Sequence, residues 1–248
     1  MKLDKIIAVR NSKTVYRDGD KCIKLFDSDY SKADILNEAL NQARIEETGL
    51  NIPKIREIMT IDGKWAIVSD YIKGKTLSRI MTEDSEKDHK YIEYLVDLQM
   101  TVHSKKCPLL NKLTDKTHMK IDKSLLNSDT KSKLYSILER MPKHDKTCHG
   151  DFNPSNIIID ERNQPYIIDW AHVTCGNASA DAAGTYLYFL LNEDFDGAEK
   201  YLNYFCKKSE TDILYIKNWI PVVAAAKSVK GNEKERKFLL SQVNILVH

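Results

Sequence analysis

No stretch of this chain is apolar for long enough to span a bilayer, and its first residues, MKLDKIIAVRNSK, lack the apolar core that a secretory leader needs. The expectation is a soluble, cytoplasmic protein with no membrane partner. Also missing is any C-x-x-C pair: the five cysteines, at 22, 107, 148, 175 and 206, are odd in number and scattered. That pattern suits neither a disulfide framework nor a zinc site, and it fits a reducing compartment. Charge bias is absent too. The formal net charge is only +2 and the lysines are dispersed, so nothing argues for nucleic acid as a partner. Repeats and low-complexity tracts do not occur. What is there, 248 residues of which 42% are hydrophobic and 30% charged, has the composition of a globular protein with one large domain or two modest lobes. Its oligomeric state is left open.

The first 70 residues read mostly as strand. KIIAV, TVYR and KCIKLF are short and rich in β-branched and aromatic residues, and RDGD between the last two signals a hairpin turn. One helix interrupts them, SKADILNEALNQARIEETG, with Ser31 as its N-cap and Gly49 as its stop. IPKIREIMTIDGKWAIVSDYI adds two strands around an Asp62-Gly63 turn. After IKGKTL the pattern turns helical. Apolar residues recur at helical spacing over 86–104, residues 105–128 are polar and resist assignment, 129–141 is predicted helical, and helix returns from Ser179 to the end. The expected fold is α+β with two lobes: a small β-rich lobe with one helix over residues 1–70, and a larger, mostly helical lobe over 71–248, joined near Asp70 to Gly74.

Between the helical stretches stands CHGDFNPSNIIIDERNQPYIIDW, residues 148–170. NIIID and YIID are apolar runs separated by the turn-like cluster ERNQP, which predicts an antiparallel hairpin. If Asp160 faces Pro165, Asn156 faces Asp169 at the open end. An amide oxygen and a carboxylate converging there suit magnesium, which takes one or two protein carboxylates and completes its shell with phosphate oxygens and water. Asp151, five residues ahead of Asn156, is placed to accept a proton from an attacking hydroxyl. Each residue alone is an ordinary turn or cap residue; the three at these spacings form a set. Phosphate chemistry also needs a cation held in place. Lys24 shares one face of KCIKLF with Cys22, while Ile23 and Leu25 take the other. Glu38, early on the only N-terminal helix, is the better placed carboxylate for Lys24, with Glu46 and Glu47 as competitors.

With these residues in view, the chain resembles the aminoglycoside phosphotransferase and choline kinase family, small-molecule kinases with a protein-kinase-like fold, over almost its whole length. HGDFNPSN and IIDW carry the resemblance most strongly. It implies Asp151 as catalytic base, Asn156 and Asp169 as metal ligands, Lys24 on the nucleotide phosphates and Glu38 as its partner. VSDYIKGKTL resembles the hinge, where backbone groups of Ser69, Asp70 and Tyr71 would meet the base of the nucleotide. LQMTVHS, ending in His103 and Ser104, resembles the helix end before the catalytic segment. GNASADAAGTY implies that Asp181 braces the catalytic loop, and His149 is implied to be structural. The implied cofactors are Mg2+ and ATP or GTP as phosphoryl donor; the implied partner is a small molecule bearing a hydroxyl.

The chain departs from kinase patterns in places. No G-x-G-x-x-G occurs near the N-terminus, which leaves a backbone cradle from Asn11 to Lys13 as the expected substitute. Asp169 is followed by Trp170 and Ala171, and only eleven residues separate it from Asp181, too few for a segment that docks a peptide. A small acceptor is therefore expected: an aminoglycoside-like antibiotic, or a metabolite such as choline, thiamine or homoserine. From residue 182 onward there are eight acidic and nine basic side chains, so no acidic surplus marks a polycation site. In NWIPVVAAAKSVKG, Trp219 is either core or the wall of an acceptor pocket. His172 and Cys175 match no zinc spacing and read as lining or packing residues. A catalytically silent kinase-fold binder is the alternative from another class, although silent members usually lack one of the residues kept here.

Overall fold

A computed structural model describes residue 3 and residues 5–10, 12–84 and 88–247. It divides into two compact units, one formed by residues 1–83 with 154–172, the other by 84–153 with 173–248. The catalytic and nucleotide-binding division expected at residue 70 and this division by packing are different cuts through the chain.

The first unit is built on a five-stranded antiparallel sheet in the order β1-β2-β3-β5-β4. The strands are β1 (Lys5–Arg10), β2 (Lys13–Asp18), β3 (Lys21–Phe26), β4 (Ile55–Ile61) and β5 (Lys64–Asp70). The turn between β4 and β5 has Asp62 at φ 49° and Gly63 at φ 77°, the two left-handed residues that match strand twist in a two-residue hairpin. Helix α1 (Lys32–Glu46) starts at Ser31, whose hydroxyl accepts from the Asp34 amide at 3.4 Å. It packs on one face of the sheet through Ile35 and Ala39 against Phe26 and Ile67, with Trp65 and Ile55 at the margin. Ile23, Ala66 and Val68 form a second cluster with Leu25 and Met59. Phe26 and Lys24 on one side of β3, with Ile23 and Leu25 on the other, follow from strand alternation.

A smaller sheet completes this unit: β6 (Gly74–Thr76) pairs with β8 (Ile157–Asp160), which pairs with β9 (Pro165–Ile167). β6 lies inside the IKGKTL segment, just before α2 (Leu77–Glu83), and was not legible as a strand. The β8–β9 hairpin forms as expected but in a register one residue from the expected one. Ile159 faces Pro165 and Ile157 faces Ile167. The Ile168 amide donates to the Asn156 carbonyl at 2.9 Å, so Asn156 faces Ile168 and Asp169 lies one residue beyond. The turn sets this register. Asp160 Oδ1 accepts from the Arg162 and Gln164 amides at 2.8 and 2.7 Å, and Asn163 takes φ 60°, which closes a three-residue loop ending in a left-handed residue.

The second unit is mostly helical: α3 (Asp88–His103), α4 (Leu113–Asp122), α5 (Ser128–Arg140), α6 (Ala178–Leu191), α7 (Phe195–Ser209), α8 (Ile213–Lys217), α9 (Ile220–Lys227) and α10 (Glu233–Val247). Residues 86 and 87 of the expected first helix lie outside the described residues. The polar stretch left unassigned contains α4. Two short strands, β7 (Lys146–Cys148) and β10 (Thr174–Gly176), pair antiparallel within this unit. Buried Tyr201, Leu202, Phe205 and Trp219 supply much of its core. All five cysteines are free thiols, and no helix among the described residues is long and apolar enough to cross a membrane.

The β6–β8 pairing requires a residue without a side chain at Gly74, because a Cβ there would overlap the Ile159 carbonyl oxygen. Gly74→Ala is expected to destabilise the protein by about 2 kcal/mol, as overpacking against a fixed backbone does. Urea unfolding of the full chain reads this as a lower midpoint; an unchanged midpoint would show that the strand pair yields without cost.

Candidate active site

The first unit gathers four charged side chains. Lys24 Nζ on β3 donates to Glu38 Oε1 on α1 and lies 3.2 Å from Asp169 Oδ1. Lys13 Nζ, from β2, lies 3.8 Å from Glu38 Oε2 and 3.5 Å from Asp169 Oδ1. The sheet register explains the partnership: Val15 faces Lys24 and Lys13 faces Phe26, which puts both lysines on the face that α1 covers. The Glu38 side chain is 4% exposed, so its charge depends on this pairing. Glu46, the competitor weighed from the sequence, caps the Ile55 amide at 2.7 Å instead.

Electrostatics bind the cluster together. Burial works against the Lys24 ammonium, but the Asp169 and Glu38 carboxylates outweigh it and push its pKa up. Burial likewise works to raise the Asp169 carboxyl, yet Lys24, Lys13 and His172 hold it well below the usual carboxylate range. Lys13 is lowered, by burial first and then by the neighbouring Lys24. Asp169 sits at φ 65°, in the left-handed region that aspartate tolerates better than most residues. Just after it, the buried Trp170 donates from Nε1 to the Ile167 carbonyl at 3.0 Å and locks the turn.

Lys13, Lys24 and Asp169 open onto a cavity of about 320 Å³ that Ser69, Tyr71 and Asn156 also line, among others. Asp70 also lines it, while its carboxylate accepts from Arg56 Nε at 2.7 Å and the Lys54 amide at 3.1 Å. The amides of Asp70 and Tyr71 donate to the carbonyls of Lys54 and Asp20 at 3.0 and 2.8 Å. The hinge expected over Ser69, Asp70 and Tyr71 thus borders the cavity with two of its N–H groups already engaged. The Arg17 guanidinium stacks over the Tyr71 ring, 4.3 Å from its centroid. Asn11 lies outside the described residues, so the backbone cradle has no structural account. The side chain of Lys13, overlooked in the sequence, is the group brought to the site. Strand alternation across the RDGD hairpin was the signal for it.

The donor chemistry fits magnesium. Among the described residues no three His, Cys, Asp or Glu side chains form a metal cage. Magnesium bound with a nucleotide needs none, because phosphates and water fill most of its shell. Asp169 and Asn156, which both line this cavity, carry a carboxylate and an amide oxygen, donors of that kind.

Asp151 belongs to the second unit and lies on the loop after β7. Its backbone is fixed from several sides. The Asp151 amide donates to His149 Nδ1 at 3.2 Å, and Asn153 Nδ2 donates to the Asp151 carbonyl at 3.0 Å. Thr185 Oγ1 donates to the Phe152 carbonyl at 2.7 Å. Gly150 takes φ 82°, a conformation that favours glycine. Beneath the loop, buried Asp181 on α6 accepts from the His149 and Gly150 amides at 3.1 and 2.7 Å and meets His103 Nε2 at 3.0 Å. Gln99 and Tyr201 extend the network, with Tyr201 Oη donating to Gln99 Oε1 at 2.6 Å. His149 is a buried bracing residue here, as the resemblance implied. The Asp151 carboxylate pairs with Lys227 Nζ of α9 at 3.0 Å, a partner that sequence reading missed.

Trp219 is 1% exposed and walls a separate cavity of about 260 Å³ with Lys112, His144, Cys175 and Asn177, among others; Asp151 is not among its lining residues.

The family model described as the phosphotransferase enzyme family matches residues 6–212, and the chain belongs to that family. Solved structures agree on the fold. The aminoglycoside phosphotransferase APH(4)-Ia, as a thermostable mutant in a ternary complex with ADP and hygromycin B, superposes with a TM-score of 0.73 at 11% identity, covering 98% of this chain and 92% of that one. Choline kinase LicA from Streptococcus pneumoniae gives 0.69 at 15% identity over 100% and 93% of the two chains. A choline/ethanolamine kinase family protein from Mesorhizobium loti gives 0.66 at 12% identity over 100% and 88%. No curated protein sequence matches the chain. Family and fold define a small-molecule kinase of the protein-kinase-like fold.

Burial raises the pKa of the Asp181 carboxyl, but hydrogen bonds and charge from His103, with His149 and the Gly150 amide, bring it below its ordinary value. A carboxyl depressed by folding stabilises the protein above its unfolded value of about 3.9, and that contribution fades as pH falls toward the folded value. Asp181→Asn is expected to cost about 3 kcal/mol at neutral pH and to flatten the loss of stability below about pH 4. Urea midpoints measured from pH 7 down to 3 check this; parallel curves for the two proteins would contradict it.

Proposed function

We propose that the protein catalyses magnesium-dependent transfer of the γ-phosphoryl group of ATP or GTP to a hydroxyl of a small polar molecule. The observation that carries this reading is the cavity that two lysines, an aspartate and an asparagine line in one unit, with the buried Glu38 pairing both lysines from behind. Lys24 and Lys13 would hold the phosphates, with Glu38 keeping Lys24 in place. Asn156 and Asp169 would hold magnesium, which when bound supplies charge neutralisation to the reacting phosphates. Backbone groups along Ser69 to Tyr71, other than the two engaged amides, would meet the base of the nucleotide. The structural relatives support a nucleotide donor: APH(4)-Ia was solved with ADP and with AMP-PNP.

Asp151 would orient the acceptor hydroxyl and take its proton, as a base within hydrogen-bonding reach does. His149 and Asp181 act through the loop rather than on the substrate. In functional terms, residues 1–70 would bind the nucleotide and 71–248 would carry catalysis and acceptor binding, with the hairpin ligands packed in the first compact unit. Hygromycin B and choline, named for the relatives, set the range of acceptors only broadly: an antibiotic or a metabolite.

Asp151→Asn is expected to lower turnover by about a hundredfold or more, in the range of a lost general base. Binding of the magnesium nucleotide should change little. Magnesium-dependent ADP or GDP release, read across an acceptor panel beside nucleotide titrations, checks both halves. Equal turnover in the variant would remove Asp151 from the mechanism.

A further inference from the structure

Around Asp151, the second unit places more positive charge than one carboxylate needs. Lys227 already pairs with it at 3.0 Å. Helix α4 packs against α9 and carries Lys116 and Lys120 one turn apart, while Lys230 follows α9 directly. Lys120 is half-buried, and its pKa is lowered to about 7, first by burial and then by Lys116, Lys227 and Lys230, against which Asp151 is the opposing charge. Gly184 on α6 leaves room for the stem of Lys227, since a Cβ there would stand 3.3 Å from its Cε. Lys227 thus reaches Asp151 directly, and Lys120 of the packed helix α4 feels Lys116, Lys227, Lys230 and Asp151 together.

Lys116, Lys227 and Lys230 each act against the charge on Lys120. A cationic acceptor entering beside Asp151 would add to that repulsion. An anionic one would relieve it and, by charge-assisted hydrogen bonds, would be held with its hydroxyl near the base. We infer that the acceptor is a small hydroxyl compound that already carries an anionic group, a phosphate or a carboxylate, held by Lys120, Lys227 and Lys230. This rests on the phosphotransfer reading above and departs from the cationic character of the compounds named for the relatives. Lys120 and Lys230 bind the acceptor's anion, and Lys227 also positions Asp151.

The test is competitive acetylation of the full chain by acetic anhydride at pH 7 in the presence of saturating MgADP, followed by peptide mass spectrometry. Glycerol 3-phosphate and glycerate are the anionic probes, with glycerol and choline as neutral and cationic counterparts. The expected result is that an anionic probe slows acetylation of Lys120 and Lys230 about tenfold, while glycerol and choline leave it unchanged. The phosphate and carboxylate arms tell the two anions apart. Protection by choline as strong as by the anions, or by neither anion, would overturn the inference. Because the unmodified chain is used, the result does not depend on a variant folding. Lys120→Gln should abolish the protection at Lys230 and Lys120→Arg should restore it. Thermal stabilisation by MgADP, read in the same samples, separates the two failures. Stabilisation without anion protection sinks only the acceptor assignment; stabilisation by neither MgADP nor MgGDP, run alongside, sinks the phosphotransfer reading itself.

Discussion

A carboxylate withdrawn from water must be met by positive charge or by N–H groups, and each unit of this protein is arranged around meeting one. In the first unit the carboxylate is Glu38, answered by Lys24 and Lys13 from adjacent strands, with Asp169 sharing both ammonium groups. In the second it is Asp181, answered by two backbone amides and His103. Helix α1 and the β8–β9 hairpin are tied to the sheet by the first set. The loop bearing Asp151 is tied to α6 by the second. The groups that stabilise the fold are thus the ones that position the chemistry.

This coupling shapes how the site can work. Asp169 is held ionised by two lysines that a triphosphate would also attract, so on the proposed reading a nucleotide and its metal would exchange partners within an existing charge pattern instead of creating one. Its left-handed backbone and the buried Trp170 behind it make the carboxylate's position a property of the turn. At Asp151 the loop is equally constrained, but the side chain itself meets a cation, Lys227, whose ammonium is 3.0 Å away. On the proposed reading, a carboxylate so held would release its lysine when a substrate anion arrives.

The acceptor question turns on field rather than on shape. Composition carries no sign of it, because eight acidic and nine basic residues in the last 67 positions average to neutrality. The lysines matter through where two helices bring them, and their mutual repulsion appears only when α4 and α9 pack.

Much of the fold and the chemistry is legible in the order of the residues. Alternation in KCIKLF, the Asp-Gly turn at 62–63 and the Ser31 cap determine the sheet and α1, because strand period, turn conformation and capping are local properties. Spacing brings out Asp151, Asn156 and Asp169, and strand parity brings out Lys24. What the sequence alone does not determine depends on contacts between distant segments. The hairpin register differs by one residue from the expected one because Asp160 and Asn163 close a three-residue loop. β6 forms because a partner strand lies some eighty positions away. Lys13 joins Glu38 and Asp169 through the β2–β3 pairing, and Lys120 joins Lys227 through helix packing. Local residue types set which groups were available; only tertiary packing decided which charges would share a space, since Coulomb energy depends on distance in the fold and not on distance along the chain.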